Sequence, residues 1–397
     1  MSILPKVFKT NKVPEIFAAL DIGSSSIKTS IFQFGKDTGL NLLGFGKSPI
    51  VKDDKRSMAD VALKSLNEAK MLAQTNPRGL VVGLSNDKSF TSTTTVRFRR
   101  EDKDLPIKQK EMDDLTARIQ EASYIESSKE LGERLGNPDL EISLLNSDYV
   151  RVYIDGLEVE NPIGRTGGVI EASLFTAFSL LKDLELVNFI CKTLGYTAQA
   201  ITSNIYALTK ALSFGAKAEK LNCVLIDIGG FSTDVAVVFG GGIYSSYSLG
   251  IGINDIAKKI SLDTKTSLVQ SQELLKHYIE KKVQQEESFM VRSSILDVLD
   301  IWLNGLETVF GEFEGIKTFP SKILVTGGGV KIPELIEVLR KKDWSKSVPF
   351  KGDPEIKKIS VGDLSYLDIK NALGIEGSIT SLSLSIIGVE LWKGTSW

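Results

Sequence analysis

The sequence predicts a mixed α/β protein of two lobes, and three observations predict it. A β-rich apolar run ends in the same kind of turn twice. Residues 16–20 lead into Asp21-Ile22-Gly23-Ser24-Ser25-Ser26, and residues 224–226 into Asp227-Ile228-Gly229-Gly230-Phe231-Ser232-Thr233-Asp234. The copies lie 227 − 21 = 206 positions apart, too far for a solenoid repeat and suited to one copy per half of a 397-residue chain. Around them, short strand-like runs alternate with amphipathic helical ones, the pattern of α/β architecture.

The elements follow in order. Residues 27–34 after Gly23 are β-branched and aromatic, so the first turn joins two strands of a hairpin. Val61, Leu63, Leu66, Ala69, Leu72 and Ala73 recur at helical spacing and predict a helix over 59–73. Asn76-Pro77-Arg78-Gly79 ends it, and 80–84 reads as a strand, which completes a crossover unit. Between 87 and 172 charge increases: 91–96 is strand-like, 108–124 a polar helix and 132–138 a loop, together a small appended subdomain. A helix over 180–194, a strand over 196–201 and a helix over 204–212 capped by Ser203 come next. The second turn runs into a strand at 235–239, and Gly240-Gly241-Gly242 turns that strand back. Helices are predicted over 270–285 and 293–310. Residues 323–326 meet a third glycine turn, Gly327-Gly328-Gly329; Pro333 marks the start of the helix behind it, and a last helix begins at Ser378.

Composition closes several routes. With 48 Lys+Arg against 50 Asp+Glu the net charge is −2, so no global field draws the chain to nucleic acid. Two cysteines make no disulfide scaffold, and the single histidine, His277, expected on a helix surface, leaves neither a His-rich metal cluster nor a Ser-His-Asp triad. No run approaches a membrane span, so the expected location is cytoplasmic. Gly46-Lys47-Ser48 imitates the end of a P-loop, but Asn41 stands where the required glycine belongs and Pro49 where a helix should start.

The glycine hairpins carry the chemistry. Successive amides of a tight glycine turn form an anion nest, and hydroxyls at Ser24, Ser25, Ser26, Ser232 and Thr233 add donors. A carboxylate beside a phosphate repels it unless a divalent cation lies between, so Asp21 and Asp227 suggest Mg²⁺ held mostly through water, with Asp234 in the same shell. Two hairpins facing across a cleft would clamp a nucleotide's phosphates from both sides. Lys28 is read as a phosphate-facing cation.

These residues carry a resemblance. The three turns resemble the phosphate-1, phosphate-2 and adenosine motifs of the actin-like ATPase superfamily, over nearly the whole chain. Within it the likeness is to the FtsA family of bacterial cell division, with PilM-type pilus proteins near it. The middle stretch supports this: residues 148–156, then Asn161-Pro162-Ile163-Gly164-Arg165-Thr166-Gly167, then an apolar strand from Val169, similar to the end of that family's subdomain IC. The resemblance implies two lobes with RNase-H-like cores: IA over 1–86 and 173–212, IC over 87–172, IIA over 213–260 and 322–377, IIB over 261–321, and a C-terminal helix of IA over 378–397. It implies ATP with Mg²⁺, held by Gly23, Ser24, Ser25, Ser26 and Lys28, by Gly229, Gly230, Phe231, Ser232 and Thr233, and by Gly327, Gly328 and Gly329. Glu273 matches the ribose-binding acid and Lys276 the residue near adenine.

Asn204 falls where relatives place a Glu or Gln that orients the attacking water, and Asp227 shares the catalytic role. An amide accepts a hydrogen bond from water but cannot take its proton, so hydrolysis is expected to be slow or absent. The resemblance further implies filament formation or homo-oligomers and an FtsZ-like division polymer or other division proteins as partners, at the inner face of the membrane. A PilM-like adaptor for a pilus or secretion apparatus is the alternative, and a small-molecule kinase of the same superfold a third reading. The family's C-terminal amphipathic anchor is not found at 391–397. A basic amphipathic segment over 1–12 is expected as a weak substitute contact.

Overall fold

The computed structural model describes residues 13–35, 39–52, 54–215, 221–341, 344–369, 375 and 378–393. The basic segment over 1–12 lies outside the described residues.

The first lobe begins with β1 (Ile16–Ile22), β2 (Ser26–Phe34), β3 (Leu40–Pro49), α1 (Lys55–Ala73) and β4 (Gly79–Leu84). An inserted subdomain follows: β5 (Phe90–Arg99), α2 (Gln109–Leu135), β6 (Ile142–Ile154), β7 (Leu157–Glu158) and β8 (Val169–Leu180). The chain then returns through α3 (Leu181–Leu194), β9 (Ala198–Ser203) and α4 (Asn204–Gly215). The second lobe comprises β10 (Cys223–Ile228), β11 (Thr233–Phe239), β12 (Gly242–Leu249), α5 (Ile253–Thr264), α6 (Leu268–Ile279), α7 (Gln285–Gly311), β13 (Lys322–Gly327), α8 (Pro333–Arg340) and β14 (Glu355–Lys358). A short β15 (Leu367–Asp368) and two helices, α9 (Ile379–Ser383) and α10 (Ser385–Lys393), close the described chain.

The duplication is visible in the sheets. The first lobe's sheet runs β15-β3-β2-β1-β4-β9 and the second's β12-β11-β10-β13-β14. In each, a glycine hairpin and a third antiparallel strand lie on one side and two parallel strands on the other. Alternation along the strands splits each sheet between two cores. Ala18, Leu20 and Ile22 of β1 pack under α1 and α3, whereas Phe17 and Ala19 face α4, α9 and α10. Val224, Ile226 and Ile228 of β10 pack under α5, α7 and α8, while Cys223 and Leu225 join Phe17 and Ala19. Helices α4, α9 and α10 therefore fill the seam between two sheets and set the floor of a cleft.

Several sequence expectations are corrected here. The inserted subdomain extends past 172, because β8 pairs with β5 and β6 as one continuous strand to Leu180. Residues 132–135 are helical rather than loop: α2 continues to Leu135 and stops at Gly136, whose φ of +65° caps it. No single helix covers 270–285; α6 ends at Ile279, Lys281 turns left-handed at φ +57°, and α7 begins at Gln285. The second part of IIA does not continue to 377, since β15 already pairs in parallel with β3 of the first lobe. Cys191 and Cys223 are both buried thiols, pushed by that burial to about 12. Among the described residues no helix is long and apolar enough to cross a membrane.

Candidate functional site

The two hairpin turns face one another above α4 and α9. The second turn closes on itself, with Gly229 N donating to Ser232 O at 2.8 Å. The tips touch: a Cβ added to Gly230 would fall 2.4 Å from Ser25 Oγ, so only glycine lets the two lobes approach this closely. The hairpins carry their acids in matching registers. Asp21 pairs with Lys28 across the first, and Asp227 with Asp234 across the second. One structural position thus holds a cation in one lobe and an acid in the other.

Those side chains meet in a cavity of about 130 Å³. Asp21, Gly23, Ser24, Ser25, Ser26 and Lys28 line it from the first hairpin, and Asp227, Gly229, Gly230, Ser232 and Asp234 from the second. Gly327, Gly328, Asn204, Ile205, Ser85, Lys47, Ile253 and Thr380 complete the wall. Asp21 is 1% exposed and accepts from Lys28 Nζ at 2.9 Å and from Asn204 Nδ2 at 2.8 Å. Burial alone would lower the Lys28 pKa, but the carboxylates of Asp21 and Asp227 outweigh it and hold the ammonium charged. Asp227 Oδ2 accepts from Thr380 Oγ1 at 2.8 Å. Burial pushes Asp227 up against the opposing pull of Thr380 and Lys28. Asp234 accepts from Ser248 Oγ at 2.6 Å, and burial, followed by the charge of Asp227, pushes it up to about 8.

This geometry fits phosphates and one hydrated divalent ion. Among the described residues no cluster of three or more His, Cys, Asp or Glu could hold a bare metal. Mg²⁺ does not need one, because it takes one or two carboxylates and completes its shell with water and phosphate oxygens. Asp21 and Asp227 could supply such carboxylates, and the crowding of Asp227 on Asp234 is a charge debt that a cation would relieve. Asn204 turns its Nδ2 to Asp21, while its Oδ1 is buried against Gly83 and finds no hydrogen-bond partner among the described residues. The cavity is smaller than the roughly 300–1,000 Å³ of ordinary ligand sites, so a whole nucleotide requires the lobes to part.

No family model matches the chain. It is 22% identical over 363 residues to the cell division protein FtsA of Bacillus subtilis (strain 168), covering 82% of this chain and 76% of that one. It is 25% identical over 271 residues to FtsA of Neisseria meningitidis serogroup B, there spanning 66% of this chain and 61% of the relative. Among solved structures, the PilM-PilN type IV pilus biogenesis complex superposes with a TM-score of 0.63 at 16% identity, over 95% of this chain and 100% of that one. The chain has the actin-like ATPase fold.

Within this actin-like frame, most of the residues singled out by sequence converge and a few do not. Thr233 is corrected: its hydroxyl donates to Ile251 O and accepts from Trp302 Nε1, both at 2.8 Å, so it braces the second lobe's core rather than offering a donor to the cleft. Phe231 is 48% exposed with its ring near the Lys258 ammonium and does not line the cavity. Gly329 packs under Ile228 and Leu335, so its small size serves the core. Glu273, Lys276 and His277 sit on α6 with exposed side chains, and none of the three lines the cavity.

Sequence reasoning missed Thr380 and Lys47. Thr380 lies 153 positions from the carboxylate it binds, and no local pattern marks it. Lys47 was visible only inside the P-loop imitation, and it lines the cleft through sheet register, as the cross-strand partner of Lys28.

Proposed function

We propose that this protein binds ATP with Mg²⁺ in the cleft and works as an FtsA-like, filament-forming component of bacterial cell division. It would link an FtsZ-like polymer and other division proteins to the inner face of the membrane. The observation that carries the nucleotide reading is the meeting of two duplicated Asp-Ile-Gly hairpins, tip against tip, around buried carboxylates. The division role rests on the likeness to FtsA proteins.

In this reading the hairpin amides and the hydroxyls of Ser24, Ser25, Ser26 and Ser232 hold the phosphates. Asp21 and Asp227 would hold the hydrated ion, and Lys28, now on Asp21, would supply a cation to the phosphate chain. When bound, the metal supplies charge neutralisation of the phosphate oxygens. Asn204, whose amide is engaged with Asp21, cannot remove a proton from water, so turnover is slow.

Calorimetry with ATP in Mg²⁺ and in EDTA tests the site; equal affinities would remove the metal. Pelleting with and without ATP, in the presence of the C-terminal tail of an FtsZ-like polymer, tests the role. Capture by a pilus-protein tail instead would favour the PilM-like adaptor.

A further inference from the structure

The inserted subdomain is carried by the first lobe, since β4 leads into β5 and β8 returns directly into α3, yet it leans on the second lobe at β12. The two ends of that joint differ. At the turn before β12 it is packed: a Cβ added to Gly242 would fall 3.1 Å from Val150 Cα, and the Arg151 guanidinium stands 5.3 Å over the Phe239 ring. Further along β12 the link passes to hydroxyls. Thr93 Oγ1 donates to Ile243 O at 3.3 Å, and the hydroxyl oxygens of Thr91 and Ser246 lie 2.6 Å apart. A cavity of about 120 Å³, with Ser89, Thr91, Ser127 and Ser246 in its wall, opens beside this pair, so close packing does not hold it shut. Ser246 and Ser248 stand two positions apart on β12 and share a face. Their partners in register on β11 are Ala236 and Asp234. Ser248 donates to Asp234 Oδ1 at 2.6 Å, and Asp234 lines the cleft. One strand thus touches a cleft acid and, two residues away, the inserted subdomain.

The cleft cavity of about 130 Å³ must widen to admit a whole nucleotide. Widening carries Ser246 away from a subdomain whose chain connections both run to the first lobe. We propose that the Thr91–Ser246 hydroxyl pair is a latch that holds the empty cleft closed and releases when nucleotide enters, so that the position of the inserted subdomain reports occupancy of the cleft. This rests on the nucleotide reading above and deepens it. Hydroxyls suit a latch because each exchanges its partner for water at small net cost. The sign of the effect follows: a ligand binds in proportion to the fraction of protein already competent, so a latch that favours the closed state weakens binding and its removal tightens it.

The test uses the full chain. ATP affinity in Mg²⁺ is measured by calorimetry for wild type, Thr91→Val, Ser246→Ala, the double variant and Thr91→Ser. Thr91→Val and Ser246→Ala should each bind ATP about threefold more tightly than wild type, the scale of one modest hydrogen bond. The double variant should gain no more than either single one, because both remove the same bond, and Thr91→Ser should match wild type. Hydrogen exchange over 90–99 and 242–249 reads the joint itself: it should rise in wild type when ATP is added, and be raised already in Thr91→Val without ATP. Unchanged or weakened ATP affinity in both single variants, a double variant that gains the product of the two, or exchange that ATP leaves unaltered in wild type would overturn the latch while leaving the nucleotide site standing. A wild type that binds no ATP would instead remove the nucleotide reading, and the latch with it.

Discussion

Thr380 shows how much a single hydroxyl from a distant helix does for the cleft. It donates to Asp227 Oδ2, while Oδ1 of the same carboxylate rests against the backbone at Gly327, so both oxygens are fixed in direction. Removing the donor leaves a buried carboxylate short of a partner, which costs roughly 1–3 kcal/mol. Thr380→Val should lower urea stability by about that amount and weaken Mg-dependent ATP binding, whereas Thr380→Ser should keep both. Asp234 makes a different prediction, about pH. Its folded pKa of about 8 stands above the ordinary carboxyl value of 3.8, so between those values the folded state holds a proton that the unfolded state has lost. Stability therefore falls as pH rises from about 4 to 8. Asp234→Asn removes this dependence and keeps an acceptor for Ser248. Measured without Mg²⁺ or nucleotide, the melting temperature of the variant relative to wild type should climb steadily from pH 5 to pH 8; a constant difference would show that Asp234 is ionised in the fold.

At the scale of elements, the glycine turns divide into those that serve the cleft and those that serve packing. Gly327 has φ +90° and leaves room of only 2.4 Å between an added Cβ and Asp227 Oδ1, so a side chain there is strained and displaces the carboxylate. Gly328 meets only the tip of Ile253, which can swing aside. Gly327→Ala should cost about 1–3 kcal/mol of stability and at least tenfold in ATP affinity, while Gly328→Ala should be nearly neutral. Comparable effects from both would remove Asp227 from the site.

The same division explains what was legible in the sequence. Strand-turn-strand hairpins announce themselves through β-branched runs flanking glycine, so β1, β2, β10 and β11 and their acids could be read directly. The helix over 204–212 was legible too, because its apolar period is intact. The break between α6 and α7 was not, since Lys281 adopts a left-handed turn that lysine rarely signals. The true extent of β8 was hidden because its apolar run joins α3 without a turn residue between them. Lys47 and Thr380 belong to the site through register and tertiary packing, which no local window contains.

Across the whole molecule, the inserted subdomain is not a free appendage. Its β5 reaches the second lobe through Thr91 and Ser246, whose hydroxyls lie 2.6 Å apart, and Thr93 Oγ1 donates to Ile243 O. On the other side Asp148 of β6 accepts from Lys210 of α4 at 2.7 Å, and Glu390 of α10 lies 3.5 Å from the same ammonium. Lys210 thus ties together the subdomain, the C-terminal helix and the helix whose first residue, Asn204, lines the cleft. Burial pushes Glu390 up, with the charge of Lys210 resisting and that of Asp148 adding to the rise. Without the lysine, two partly buried carboxylates would face each other unshielded. Lys210→Met keeps the aliphatic stem and removes the charge, so it should destabilise the protein by about 2 kcal/mol at pH 7, within the range for stranding one side of a buried charged pair. Because Glu390, already pushed up by burial, takes up a proton more readily once the lysine's charge is gone, the loss should shrink as pH falls toward 5. Urea unfolding of wild type and variant at the two pH values, with limited proteolysis of 87–180 as the readout of subdomain release, checks this. A loss that is equal at both pH values would mean that Lys210 contributes packing alone, and the electrostatic tie between subdomain and cleft would fall.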